Sequence, residues 1–142
     1  DQKHYESVTE KLVVDLKGWN ISPFVCYDLR FPVWTRNQGD SPYDLCLYIA
    51  NWPAARVNAW DTLLKARAIE NLCFCVGVNR IGEDGNKIVY NGHSAVIDPK
   101  GNSIAELHEN EEIQTITLSK KNLVEYREKF PAFLDADDFT IH

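Results

Sequence analysis

The sequence has no methionine, no Cys-x-x-Cys pair and no long apolar run, and each absence narrows what the chain can be. Because methionine is missing, the 142 residues lack an initiator, and we expect a processed chain or a segment of a longer protein. The cysteine spacing argues against a zinc or dithiol redox site, so we expect no metal. No apolar stretch approaches the roughly 20 residues of a membrane span and no apolar leader opens the chain, so we expect a soluble, cytoplasmic protein without a membrane partner.

The composition and charge are those of an ordinary globular domain. The 15 Lys and Arg residues are dispersed within a formal net charge of -6, whereas nucleic acid binding requires a concentrated basic face. With 44% hydrophobic and 25% charged residues, the chain is not expected to be disordered. It contains no repeat or clear linker. We therefore interpret residues 1–142 as a single domain and expect no nucleic acid partner.

Hydrophobic patterning predicts an α/β fold. Strands are expected over residues 11–16, 21–25, 45–50, 72–78, 87–90, 94–97, 103–107 and 113–118. Helices are expected over residues 31–37, 60–71 and 120–130, with Pro32 in the first turn of the first helix and Ser119 capping the last. The continuous apolar run at 45–50 is typical of a strand buried on both faces of a largely parallel sheet. The pattern predicts a mixed sheet with helices packed on at least one face.

Cys26 follows the apolar segment 21–25 and precedes a charged segment that leads into Pro32. The thiol is therefore expected at the edge of the sheet, near a strand-to-helix bend. Free thiols have a pKa of about 8.5, so Cys26 needs a nearby base or cation to react at neutral pH. Position alone leaves two interpretations open, a small buried apolar residue or a nucleophile. We expect Cys73 and Cys75 to be core residues and all thiols to be reduced.

Five sequence blocks, in this order, resemble the carbon–nitrogen hydrolase (nitrilase) superfamily. They are residues 25–32, 51–56, 65–71, 77–82 and 90–94. The resemblance runs from about Lys11 to Asp138, and the block that begins with Asn51 is most similar to the omega-amidase branch. It implies an αββα sandwich, no cofactor, assembly as a homodimer or larger homo-oligomer, and hydrolysis of non-peptide carbon–nitrogen bonds by a Glu-Lys-Cys triad.

On this resemblance Cys26 is the nucleophile. Its thiolate would attack an amide carbon, ammonia would leave, and water would hydrolyse the thioester, with the backbone N–H of Tyr27 as an oxyanion donor. In the family the triad Glu and Lys lie far upstream. Only 25 residues precede Cys26, and no Glu or Lys among them lies in a matching context. We therefore expect the chain to be the C-terminal half of a carbon–nitrogen hydrolase domain, and inactive alone.

Three further residues are candidates for substrate binding. Arg56 is expected on the same rim as Cys26, where it either holds a substrate carboxylate or pairs with Asp61. Asn51 and Trp52 are expected to shape the pocket, and core packing is an equal alternative for Trp52.

Other charged residues of the five blocks are expected to be structural. We expect Asp28 and Arg30 to form an ion pair that holds the bend. Arg67 and Glu70 are expected to pair along a helix, at the surface or half-buried. His93 is expected to be a structural histidine rather than a pocket residue.

The leading functional hypothesis is an amidase that hydrolyses the terminal amide of a small 2-oxo dicarboxylic acid monoamide, such as 2-oxoglutaramate. The alternatives are another small-amide or carbamoyl hydrolase of the superfamily, and a catalytically silent partial domain that uses its sheet for assembly. The aromatic tail is expected either at a dimer contact or over its own core; its members are Phe130, Phe133 and Phe139.

Overall fold

The computed structural model describes residues 10–38 and 42–139. Its strands are β1 (Val14–Leu16), β2 (Trp19–Val25), β3 (Leu45–Ala50), β4 (Phe74–Asn79), β5 (Ile81–Glu83), β6 (Val89–Asn91), β7 (Ser94–Ile97) and β8 (Ser103–Leu107). Its α-helices are α1 (Val57–Asn71) and α2 (Lys120–Lys129). Short 3-10 helices cover Cys26–Arg30, Ala54–Arg56 and Ala132–Asp135.

Six of the strands form one mixed sheet in the order β1-β2-β3-β4-β7-β8. The central strands β2, β3 and β4 are parallel, and the outer pairings are antiparallel. Helix α1 carries the chain from β3 to β4, which is the crossover that parallel neighbours require. Strands β5 and β6 form a separate hairpin. The predicted mixed α/β sheet is confirmed.

Helix α1 covers one face of this sheet. Its residues Trp60 and Leu64 are 0% and 1% exposed, and they belong to the same buried cluster as Phe24 and Tyr48 of the sheet. Gly77 on β4 permits the close approach, because a Cβ there would lie 2.5 Å from a Leu64 methyl carbon and 2.7 Å from the Trp60 ring. Only glycine fits this position without displacing the Leu64 and Trp60 side chains.

The opposite face of the sheet is open to solvent in the described structure. Val25, Ile49 and Val78 lie side by side on β2, β3 and β4 and are 67%, 57% and 48% exposed. The expectation that residues 45–50 are buried on both faces is therefore wrong, since buried and more exposed residues alternate along β3. An apolar sheet face needs a second layer to gain hydrophobic stabilisation, so this surface matches the inner face of a sandwich.

Two predicted elements are absent where the sequence placed them. Residues 31–37 form turns rather than a helix, and the helical turn lies earlier, at Cys26–Arg30, so that Pro32 follows a helix instead of starting one. Residues 113–118 have no strand partner among the described residues, and Ile113 is 100% exposed. Alternating polarity favours a strand, but a strand forms only beside a pairing edge.

The C-terminal helix was predicted correctly and is held to the sheet by charge. Ser119 caps α2 by accepting a hydrogen bond from the Asn122 N–H at 3.2 Å. The buried carboxylate of Asp44 contacts Lys120 Nζ at 2.7 Å and Arg127 Nη1 at 3.2 Å. Because α2 follows β8 in sequence but docks beside the start of β3, this network ties the end of the chain to the centre of the sheet.

Candidate active site

Cys26 begins the 3-10 turn directly after β2 and has a φ of 41°, in the left-handed region. For a residue other than glycine this conformation costs about 1–3 kcal/mol, and such strain concentrates at functional sites. The Cys26 side chain is partly exposed, whereas the other three cysteines are buried. Burial also raises the pKa of the Cys46 and Cys73 thiols. Cys26 is therefore the thiol of this chain that a substrate can reach.

Two hydrogen bonds between a side chain and the backbone hold the Cys26 turn. The Val25 N–H donates to Asp28 Oδ2 at 2.9 Å, and Arg67 Nη2 donates to the Leu29 carbonyl at 2.5 Å. Instead of pairing with Asp28, as expected, Arg30 places its guanidinium 4.9 Å from the centre of the Trp52 ring. The prediction that Asp28 pairs with Arg30 is therefore wrong, although Asp28 does hold the bend through its hydrogen bond with Val25.

A cleft of about 430 Å³ opens beside the thiol. The five candidate site residues from the sequence all line it: Cys26, Tyr27, Asn51, Trp52 and Arg56. Arg30 and Pro53 complete the lining. They meet because β2 and β3 are parallel neighbours with Val25 opposite Ile49, so the segments that follow both strands emerge at the same edge.

Trp52 is both a wall of this cleft and a core residue. It is 2% exposed, and its ring centre lies 5.6 Å from that of Trp60. Its indole Nε1 donates to the Arg56 carbonyl at 2.8 Å, which anchors the backbone of Arg56 next to the cleft. Core packing, one of the two alternatives for Trp52, is therefore observed, and Trp52 also lines the cleft. Its role in substrate binding stays a prediction.

The alternative partner expected for Arg56 binds elsewhere. Asp61 Oδ2 lies 3.1 Å from His93 Nδ1, and the ion pairs among the described residues do not include Arg56. The His93 carbonyl accepts a hydrogen bond from Trp60 Nε1 at 2.7 Å. His93 lines a different cavity from Cys26, in agreement with the structural role expected for it.

Asn79 is a residue of the site that sequence reasoning missed. It is 7% exposed at the end of β4, where its Oδ1 accepts the Trp52 N–H at 2.7 Å. Its Nδ2 donates to the carbonyls of Trp52, at 3.0 Å, and Gly92, at 2.7 Å. Asn79 therefore fixes one rim of the cleft to two neighbouring loops. A polar residue that ends an otherwise apolar strand was the available signal.

The cleft is incomplete as an acid–base site. None of the described residues that line it is a glutamate or a lysine. Across residues 10–38 and 42–139 there is also no cluster of three or more His, Cys, Asp or Glu side chains suited to a metal ion. The arrangement supplies a partly exposed thiol, the backbone N–H of the residue that follows it, and two arginines.

The described part of the chain contains no helix with the length and apolarity needed to cross a membrane.

Sequence comparisons place the chain in one family. Residues 2–128 match the family model of carbon-nitrogen hydrolases. The chain is 52% identical to Omega-amidase YafV of Escherichia coli strain K12 over 97% of this chain and 54% of that protein. It is 37% identical to 2-oxoglutaramate amidase of Bacillus subtilis over 85% of this chain and 46% of that protein. The chain thus spans about half the length of the curated relatives it matches.

Solved structures show the same relationship. A CN-hydrolase superfamily protein of Xanthomonas campestris, with an arsenic adduct in its active site, matches with a TM-score of 0.95 and 52% identity over 99% of this chain and 56% of that chain. An amidase of Nesterenkonia sp. AN1, whose active-site cysteine carries an added acetamide moiety, matches with a TM-score of 0.66 and 29% identity over 74% of this chain and 40% of that chain. Together these matches show that this chain belongs to the carbon–nitrogen hydrolase family, as the five sequence blocks indicated.

Proposed function

We propose that the protein containing this chain is an amidase that hydrolyses the terminal amide of a small 2-oxo dicarboxylic acid monoamide through a thioester on Cys26. The observation that carries this proposal is the cleft, where a strained and reachable thiol lies beside Arg56. The 52% identity to an omega-amidase supports the same substrate class.

The chemistry follows from the groups in the cleft. The Cys26 thiolate attacks the amide carbon, and the electron pair of the carbonyl moves to its oxygen. The N–H of Tyr27 would donate to this oxyanion. Protonation of the nitrogen releases ammonia, and water then hydrolyses the thioester to the acid and restores the thiol.

These proton transfers require a base, and the oxyanion requires a second donor. We assign both to a glutamate and a lysine outside this chain. The absence of these residue types from the described lining of the cleft supports the assignment, as does the chain's span of about half of its relatives. The open sheet face supports a partial domain, because a further layer would cover it.

Arg56 is the proposed anchor for the substrate carboxylate. Its backbone is fixed by two hydrogen bonds, from its own N–H to the Pro53 carbonyl at 2.9 Å and from Trp52 to its carbonyl. Its guanidinium has no carboxylate partner among the described ion pairs. A guanidinium on a fixed backbone can bind a carboxylate with two parallel hydrogen bonds.

The first test compares two amides that differ only in the carboxylate. In 4-oxopentanamide a methyl group replaces the carboxylate of 2-oxoglutaramate. We expect kcat/KM for ammonia release to be at least about 100-fold higher with 2-oxoglutaramate, because Arg56 would be left unpaired when 4-oxopentanamide binds. Equal rates with the two amides would favour the alternative function, hydrolysis of another small amide or a carbamoyl compound. A folded protein that hydrolyses neither amide would favour the catalytically silent domain.

The second test is Arg56→Lys. Lysine keeps the charge but loses the planar fork, so we expect KM for 2-oxoglutaramate to rise about tenfold while kcat changes little. Arg36→Lys, which alters an arginine outside the cleft, should leave KM unchanged. The anchor role is contradicted if KM for 2-oxoglutaramate stays at the wild-type value in Arg56→Lys.

We also propose that the protein is cytoplasmic and forms a homodimer or larger homo-oligomer. Four free thiols suit a reducing compartment. Phe130, Phe133 and Phe139, after α2, are 56%, 48% and 38% exposed, which favours an assembly contact over cover for the chain's own core. We propose that the protein binds neither nucleic acid nor a membrane.

A further inference from the structure

Arg67 lies within α1, yet its side chain is 3% exposed. Its Nη1 contacts Glu70 Oε1 at 2.8 Å, which forms the predicted helix ion pair. That pair needs no burial, since residues three apart meet on a helix surface. The buried position is explained by Nη2, which donates to the Leu29 carbonyl across 38 residues of sequence. A buried guanidinium is costly unless its bonds are made. Nη1 and Nη2 have these partners, whereas Nε has none in the described structure, so the contact with Leu29 is a specific feature of the fold.

We propose that Arg67 is a positioning residue for the proposed hydrolysis, acting through the Leu29 carbonyl on the turn that carries Cys26. This inference rests on the proposed function and adds a residue on the helix layer to it. The turn Cys26–Arg30 has to hold a left-handed cysteine, and such a conformation persists only where the surroundings over-determine it.

The residues of the turn Cys26–Arg30 differ in how firmly they are held to the rest of the fold. Tyr27, whose N–H would bind the oxyanion, is 65% exposed and contributes little packing. Among the described residues, the Asp28 side chain accepts a hydrogen bond from the Val25 N–H, three positions earlier, so this bond lies within the same local segment. Leu29 is 0% exposed, and Arg67 holds its carbonyl from α1. Arg67 thus provides the polar link between the turn and the helix that covers the sheet.

Loss of this link should affect the transition state more than substrate binding. Oxyanion donors act only when they lie within hydrogen-bond distance of the developing charge, and a displacement of about 1 Å can lower the rate about 100-fold. The substrate carboxylate would bind at Arg56, on a different segment. We therefore expect kcat to fall while KM changes little.

The experiment compares Arg67→Gln with Arg127→Gln in the protein that contains this chain. Arg127 is a matched control, because it also bonds a carboxylate and backbone carbonyls, those of Tyr43 and Leu72, each at 2.8 Å. On 2-oxoglutaramate we expect kcat of Arg67→Gln to fall about 10- to 100-fold, with KM within about threefold of wild type. Arg127→Gln should keep kcat at temperatures where it is folded, and Arg67→Lys should be intermediate.

Amide hydrogen exchange provides a readout that does not depend on activity. Residues 25–31 should exchange faster in Arg67→Gln than in wild type or Arg127→Gln, whereas residues 45–50 should not. Equal exchange of residues 25–31, or equal kcat in Arg67→Gln and Arg127→Gln, would overturn the proposal. If Arg67→Gln does not fold, the test uses Arg67→Lys. The proposal is then overturned if Arg67→Lys has the same kcat, and the same exchange of residues 25–31, as the wild type. If the wild-type protein hydrolyses no amide, the proposed function fails, and faster exchange would still locate the anchor at Arg67 without a role in hydrolysis.

Discussion

Cys26→Ala should abolish ammonia release by the protein that contains this chain, with a loss of at least about 10,000-fold in kcat. The reason is that no thioester can form without the Sγ atom, and the other thiols are buried in the core. The fold should persist, because Cys26 is partly exposed at a turn and its loss leaves no core cavity. The measurement is ammonia release from 2-oxoglutaramate beside a thermal unfolding curve.

The other three cysteines are the controls. Cys46→Ser, Cys73→Ser and Cys75→Ser should each retain most of the activity of the folded protein, although a hydroxyl in the core can lower the unfolding temperature. Iodoacetamide should label Cys26 first in the native protein, because the other thiols are less accessible and those of Cys46 and Cys73 have a raised pKa. Turnover by Cys26→Ala above about 1% of wild type would remove Cys26 from the nucleophile role.

The isolated 142-residue chain should release no measurable ammonia. The described cleft contains neither a glutamate nor a lysine to serve as base and second oxyanion donor. Losing one oxyanion donor costs about 100- to 1000-fold, and losing general base catalysis costs about 100- to 10,000-fold, so the combined loss lies below detection. The exposed side chains of Val25, Ile49 and Val78 should also make the isolated chain associate.

This result is tested by assaying the chain alone and after addition of a separately expressed segment carrying the upstream part of the protein. We expect activity to return only with that segment. A version of the segment in which the proposed base is changed from Glu to Gln should not restore activity. Size-exclusion chromatography should show the isolated chain as large species that the segment converts to a defined complex. Turnover by the chain alone near the rate of the intact enzyme would place the base and the lysine within residues 1–142.

Local patterns in the sequence determined the main elements of this protein. Apolar runs predicted β3 and β4, helical spacing predicted α1, and Ser119 marked the start of α2. These predictions succeeded because periodicity and capping depend on residues within a few positions of one another. The five sequence blocks likewise identified the family and the edge at which Cys26 lies.

Only the tertiary structure decided which groups meet at that edge. Arg67 reaches Leu29 across 38 residues, and Asn79 reaches Trp52 across 27. Neither contact has a local signature, because it depends on the order of strands in the sheet and on the path of the crossover helix. The open apolar face shared by Val25 and Ile49 has the same cause: a continuous apolar run looks alike whether one face or both are covered, and the covering layer is a property of the assembled fold.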